Sequence, residues 1–122
     1  MARDAVAITL LALNAGTATP AGTAINTTNG ANIAVGGKTR KLIVRVTNTI
    51  TNAAHTVTFR AGVYPPALQS PVGDLAISVP QSGDVLIALE SARFVQADGS
   101  INVDYDAGMT GIVSAHRLPA NL

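Results

Sequence analysis

The chain has 122 residues, no cysteine, and eight basic against seven acidic residues, for a net charge of +1; this excludes disulfide staples, thiolate chemistry and the basic excess that phosphate neutralisation requires. Charged residues make up 12% and hydrophobic residues 48%, a balance unlike that of charge-driven disorder and consistent with a single β domain over residues 1–122. No apolar run approaches the roughly 20 residues of a membrane-spanning helix, so neither nucleic acid nor membrane is an expected partner.

Residues 6–13 (Val-Ala-Ile-Thr-Leu-Leu-Ala-Leu) form the first expected strand. Thr9 interrupts the apolar run and Asp4 stands where a secretion signal would carry positive charge, so the segment reads as a strand and not as a targeting sequence. Residues 14–30 are rich in Ala, Thr, Gly and Asn and include Pro20, which is loop chemistry; this is the segment expected to be flexible or ordered by a partner. Asn29-Gly30 signals a turn, residues 31–35 an edge strand, and Gly36-Gly37 its end.

The clearest pattern lies in residues 41–48 and 55–60. Leu42, Val44 and Val46 fall on one side of an extended strand, as do Val57 and Phe59 in the next run. Lys41, Arg45, Thr47, Thr56, Thr58 and Arg60 fall on the other. Two neighbouring runs of period-2 alternation predict a half-buried antiparallel hairpin with a polar outer face.

Tyr64-Pro65-Pro66, followed by Pro71 and Gly73, cannot continue a strand, because proline lacks the ladder donor; the stretch reads as a connection crossing between sheets. Residues 74–79 alternate again, with Leu75, Ile77 and Val79 on one face. A turn over residues 80–83 leads to an apolar strand over 84–89, centred on Val85, Leu86 and Ile87. A short strand at 93–96, a tight turn at Asp98-Gly99, a strand at 101–106, a break at Ala107-Gly108 and a last strand at 111–117 complete the chain, with Pro119 ending it. Thr and Val dominate these runs, and no segment sustains a helical period. The expected fold is all-β: a single antiparallel β-sandwich, jelly-roll-like, or a small β-barrel, with about 8–9 short strands.

Residue types that carry catalysis are sparse. His116 lies two residues after Ser114, and acidic residues exist to complete a triad, but there is no Gly-x-Ser-x-Gly elbow. His55 and His116 therefore read as ordinary strand residues, and the chain as a non-enzyme; a small hydrolase using Ser114 and His116 is the reading from a different class. Asp98, Ser100, Asn102, Asp104 and Asp106 recur at every second position. Oxygen-rich clusters suit Ca²⁺, but a strand holds such residues in a line, and the glycine and terminal glutamate of a calcium loop are missing; a solvated strand face follows, with Ile101, Val103 and Tyr105 turned to the core. No phosphate-binding glycine motif is present, and four aromatic residues without tryptophan offer little to stack bases or sugars. No cofactor or metal is expected.

Five of the eight basic residues are Lys38, Arg40, Lys41, Arg45 and Arg60. On the expected hairpin, Lys41, Arg45 and Arg60 share the polar face, which makes them the candidate face for docking onto an acidic surface; the alternative is a solvated sheet face whose charges deter aggregation.

Several segments resemble head decoration (cement) proteins of tailed bacteriophages. They are the opening Ala2-Arg-Asp-Ala-Val-Ala-Ile-Thr9, Pro20-Ala-Gly-Thr-Ala-Ile-Asn26, Leu42-Ile-Val-Arg-Val-Thr-Asn-Thr49, and Leu89-Glu-Ser-Ala-Arg-Phe-Val-Gln-Ala-Asp-Gly-Ser-Ile-Asn102. The resemblance runs through most of the chain in order and rests on no mechanistic motif. It implies a β-rich virion structural protein, made in the host cytoplasm. It would bind the major capsid protein on the capsid exterior and reinforce the shell as a homo-oligomer, a trimer being favoured. It brings no catalytic or contact residues. Some members use a long N-terminal arm, whereas only residues 1–5 precede the first expected strand here. A tail or fibre component of the virion, including a receptor-binding one, is the alternative that the same β pattern serves.

Overall fold

The structure is a computed structural model that describes residues 3–35, 41–62, 73–89 and 93–119. Ten strands alternate with loops: β1 (Asp4–Val6), β2 (Ile8–Leu10), β3 (Thr23–Ala24), β4 (Ala31–Ile33), β5 (Leu42–Asn48), β6 (His55–Phe59), β7 (Leu75–Val79), β8 (Asp84–Ala88), β9 (Ile101–Tyr105) and β10 (Gly111–Arg117). They form two sheets. Sheet A has the order β1-β4-β9-β6-β7, and sheet B the order β2-β10-β5-β8 with β3 also paired to β10. The fold is all-β, as the alternation predicts, and is an open sandwich; the described strands do not close into a barrel.

Alternation builds the core directly. Leu42, Val44 and Val46 of β5 and Val113 and Ala115 of β10 point inward from sheet B, and Val57, Phe59, Ile101 and Val103 point inward from sheet A; all are buried. Phe59 meets Phe94 edge to face, with centroids 6.2 Å apart and planes at 62°, a favoured geometry for aromatic quadrupoles. Arg93 lies over the outer side of this pair, its guanidinium carbon 4.9 Å from the Phe94 centroid.

The expected hairpin does not form. β5 and β6 have the expected positions and inward faces, but they lie in different sheets: β5 pairs with β10 and β8, and β6 pairs with β7 and β9. The chain arches over the core through residues 49–54 instead of turning beside itself. A period-2 pattern sets which face is buried and leaves the hydrogen-bonding partner open, so hairpin and arch bury the same residues. Asn48, whose side chain is fully buried, holds the arch in place. Its amide nitrogen donates to the carbonyls of Ala53, Val79 and Pro80 at 3.2–3.3 Å, and its Oδ1 accepts from the Ile50 amide at 3.0 Å. One side chain thus fastens the arch to the turn after β7. That turn, too, crosses between sheets, since β7 belongs to sheet A and β8 to sheet B.

Further expectations are corrected. The single strand over residues 6–13 is two, β1 and β2, which change sheets at Ala7 and end at Leu10. Both pair in parallel, β1 with β4 and β2 with β10, so the sandwich is mixed and not purely antiparallel. The strand at 31–35 is not an edge; β4 sits between β1 and β9. The stretch at 93–96 contributes only an isolated bridge, Val95 to Ile101. Within the expected loop at 14–30, β3 is a short strand on β10. Its turn before β4 is capped by Asn26, whose Oδ1 accepts from the Thr28 and Asn29 amides. The Tyr64-Pro65-Pro66 connection, Pro71, Lys38 and Arg40 lie outside the described residues.

Candidate functional site

Sheet A carries a hydrogen-bonded polar face. β9 turns Asn102 and Asp104 outward between the buried Ile101 and Val103, as its spacing predicts. These groups are not simply solvated. Asn32 of β4, directly opposite Asn102 in register, donates to Asn102 Oδ1 at 2.9 Å and to Ser100 Oγ at 2.8 Å. Arg3 reaches over β4 to Asp104 at 2.6 Å and to the Val103 carbonyl at 2.8 Å. Its guanidinium lies against Gly30 (φ +70), where a Cβ would meet Arg3, Asp104 and the Val103 carbonyl at 2.5–2.7 Å, so the glycine is what lets the arginine lie flat. Arg60 completes the group, 3.1 Å from Asp74 and 3.4 Å from Asp104. Hydrogen bonds from the Ser100 hydroxyl and amide hold the Asp98 carboxyl below its usual range. Tyr105 faces inward, and burial drives its phenol well above its usual range.

Sheet B presents a different outer face. Arg45 lies outward on β5 and pairs with Asp84 of β8 through two guanidinium nitrogens, an arrangement that holds the Asp84 carboxyl below its usual range. Beside Arg45 in register stands Leu86, 71% exposed. Ile43 and Ile112, on the same outward phase, are half-buried. Leu10 and Leu13 are also exposed, at and beyond the end of edge strand β2.

The candidate triplet Lys41, Arg45 and Arg60 therefore does not form one basic face. Arg45 lies on sheet B and Arg60 on sheet A, each already neutralised by aspartates. Lys41 stands just before β5 with φ +61, outside the strand's alternation, and its carbonyl accepts from the Leu118 amide at 2.8 Å. The cause is the arch: a hairpin would have aligned these side chains, and crossing the core separates them.

Ser114 Oγ and His116 Nε2 do come together, 3.1 Å apart on β10. None of the described carboxylates joins them as the third member of a triad. The six described carboxylates have other partners: Asp4 with Asn29, Asp74 with Arg60, Asp84 with Arg45, Asp98 with Ser100, Asp104 with Arg3 and Arg60, and Asp106 with His55 at 3.1 Å. Ser114 is itself buried. It faces a small pocket where β2 stops and β3 begins along β10, lined also by Ala7, Thr9, Pro20 and Thr23. Among the described residues no group of three or more His, Cys, Asp or Glu side chains could hold a metal ion, and no helix is long and apolar enough to cross a membrane.

No protein-family model matches this chain, and no curated protein or solved structure matches it. Sequence reasoning missed the exposed Leu86, which alternation marks: it sits out of phase with Val85 and Ile87, so an apolar residue on the outward phase was readable. Asn48 and Arg3 gave no comparable signal, because their partners are distant in sequence and depend on the arch and on the parallel β1–β4 pair.

Proposed function

We propose that this protein is a virion structural protein that binds the outer surface of an icosahedral bacteriophage capsid and stabilises it, acting as a symmetric oligomer. The observation that carries the reading is the outer face of sheet B. Leu86 projects there at 71% exposure beside Ile43 and the internally neutralised Arg45–Asp84 pair. Such a face can be covered permanently at little desolvation cost, because it leaves no uncompensated charge to bury. The segments that resemble decoration proteins add to this reading. A repeating shell multiplies weak contacts of this kind into firm attachment.

The test is direct. Purified protein added to undecorated shells should bind at a fixed number of copies per capsomer and raise the temperature at which the shells rupture. Leu86→Glu should weaken this binding without changing the melting of the isolated protein, whereas Arg60→Glu, on the opposite sheet, should leave it intact. Recovery of the protein only in tails, or its absence from virions, overturns the reading.

A further inference from the structure

Among the described residues, sheet A ends in an edge strand that carries none of the usual protection against pairing within itself. β7 reads Leu75-Ala-Ile-Ser-Val79, with no charge and no proline. It pairs with β6 in five consecutive registers without a bulge, and among the described residues no strand lies on its other side. Short length, charge, proline and bulges are the devices that keep natural edges from adding a further strand. The other edges have at least one of them. β1 and β2 are three residues long, and β8 carries the paired Asp84. Moreover, the inward side chains Leu75 and Ile77 of β7 are only half-buried, although they pack against the core.

We propose that β7 pairs with β7 of a second copy of this chain, antiparallel about a twofold axis at Ile77, so that sheet A runs continuously through both subunits. The strand is self-complementary in that register. Leu75 faces the partner's Val79, Ile77 faces its own counterpart, and on the outer side Ala76 faces the partner's Ser78. Apolar meets apolar toward the core, small meets small outside, and no like charges oppose each other. A twofold interface of this kind is isologous and closes at two subunits, leaving no free copy of the same edge. The pairing stands or falls independently of capsid attachment, because it uses neither Leu86 nor the outer face of sheet B.

The test reads mass by light scattering and sedimentation over a range of concentrations. Wild-type protein should be a dimer. Ala76→Lys with Ser78→Lys sets ammonium against ammonium at two outward, exposed positions, so the fold is spared while dimerisation weakens by about tenfold or more. Ala76→Lys with Ser78→Glu sets ammonium against carboxylate in this register alone and should keep the dimer. A monomeric wild type overturns the proposal, as does a trimer, which has no twofold axis. So does a dimer that both double variants weaken equally or that neither affects.

Discussion

At the residue scale, Asn48 is a fully buried polar side chain that bonds to both sides of the arch. It is buried without charge and bonds three carbonyls and one amide around the arch, the Pro80 carbonyl accepting from the Gly83 amide as well. Replacing it with Ala removes these bonds from a buried site, and the expected loss is about 1–3 kcal/mol of stability in urea unfolding. The second case is electrostatic. The Arg45 guanidinium keeps the Asp84 carboxyl ionised to lower pH than usual. A depressed carboxyl contributes stability above the ordinary carboxylate range and loses it as pH falls through its lowered midpoint. Arg45→Ala should therefore move the Asp84 titration midpoint upward, toward the ordinary value, as followed by carboxyl-carbon NMR. Gly111 is fixed for a different reason. Its φ of +144 and the Thr47 carbonyl opposite it leave no room for a Cβ where β10 enters the sheet.

At the element scale, alternation and adjacency carried different amounts of information. The inward residues of β5, β6, β9 and β10 were legible because a strand's side-chain period is two and the core is apolar. Partners were not legible. Leu42-Ile-Val-Arg-Val and Thr-Val-Thr-Phe would alternate identically in a hairpin or across a sandwich, and the six residues between β5 and β6 contain no tight-turn dipeptide that would have forced the hairpin. The candidate site depended on that choice, so Lys41, Arg45 and Arg60 were separated along with it; of the expected solvated face, Asn102 and Asp104 keep the outward phase of β9, whereas Ser100 is buried and Asp98 and Asp106 lie outside the strand. The change of sheet at Ala7 was equally hidden within an apolar run. β1 is only three residues long, and Arg3 is its main side-chain tether to β9. Arg3→Ala should cost about 1 kcal/mol, since the ion pair is partly exposed. It should also speed amide exchange in β1 while leaving β9 protected.

At the scale of the whole molecule, one core lies between two sheets whose strands mix distant parts of the chain. Phe59 and Phe94 are its largest fully buried side chains, and their contact ties β6 to the segment before β9. Phe59→Ala should cost about 3–5 kcal/mol by calorimetry or denaturant unfolding, because the cavity lies between two layers that cannot collapse independently. A loss of that size is a large share of the roughly 5–15 kcal/mol by which a domain is stable. The two outer faces then divide the surface: sheet A is tied internally by hydrogen bonds and ion pairs, and sheet B leaves apolar side chains uncovered.

The place of β10 has a consequence for biosynthesis. It lies inside sheet B, gripped by β2 and β3 on one side and β5 on the other, yet it is the last of the described strands in chain order. β2, β5 and β8 are all made before the strand that joins β2 to β5, so the joining of β2 to the β5–β8 pair across sheet B waits on β10. Sheet B therefore cannot close until β10 has been made, and a chain cut short before β10 lacks the strand that joins β2 to β5.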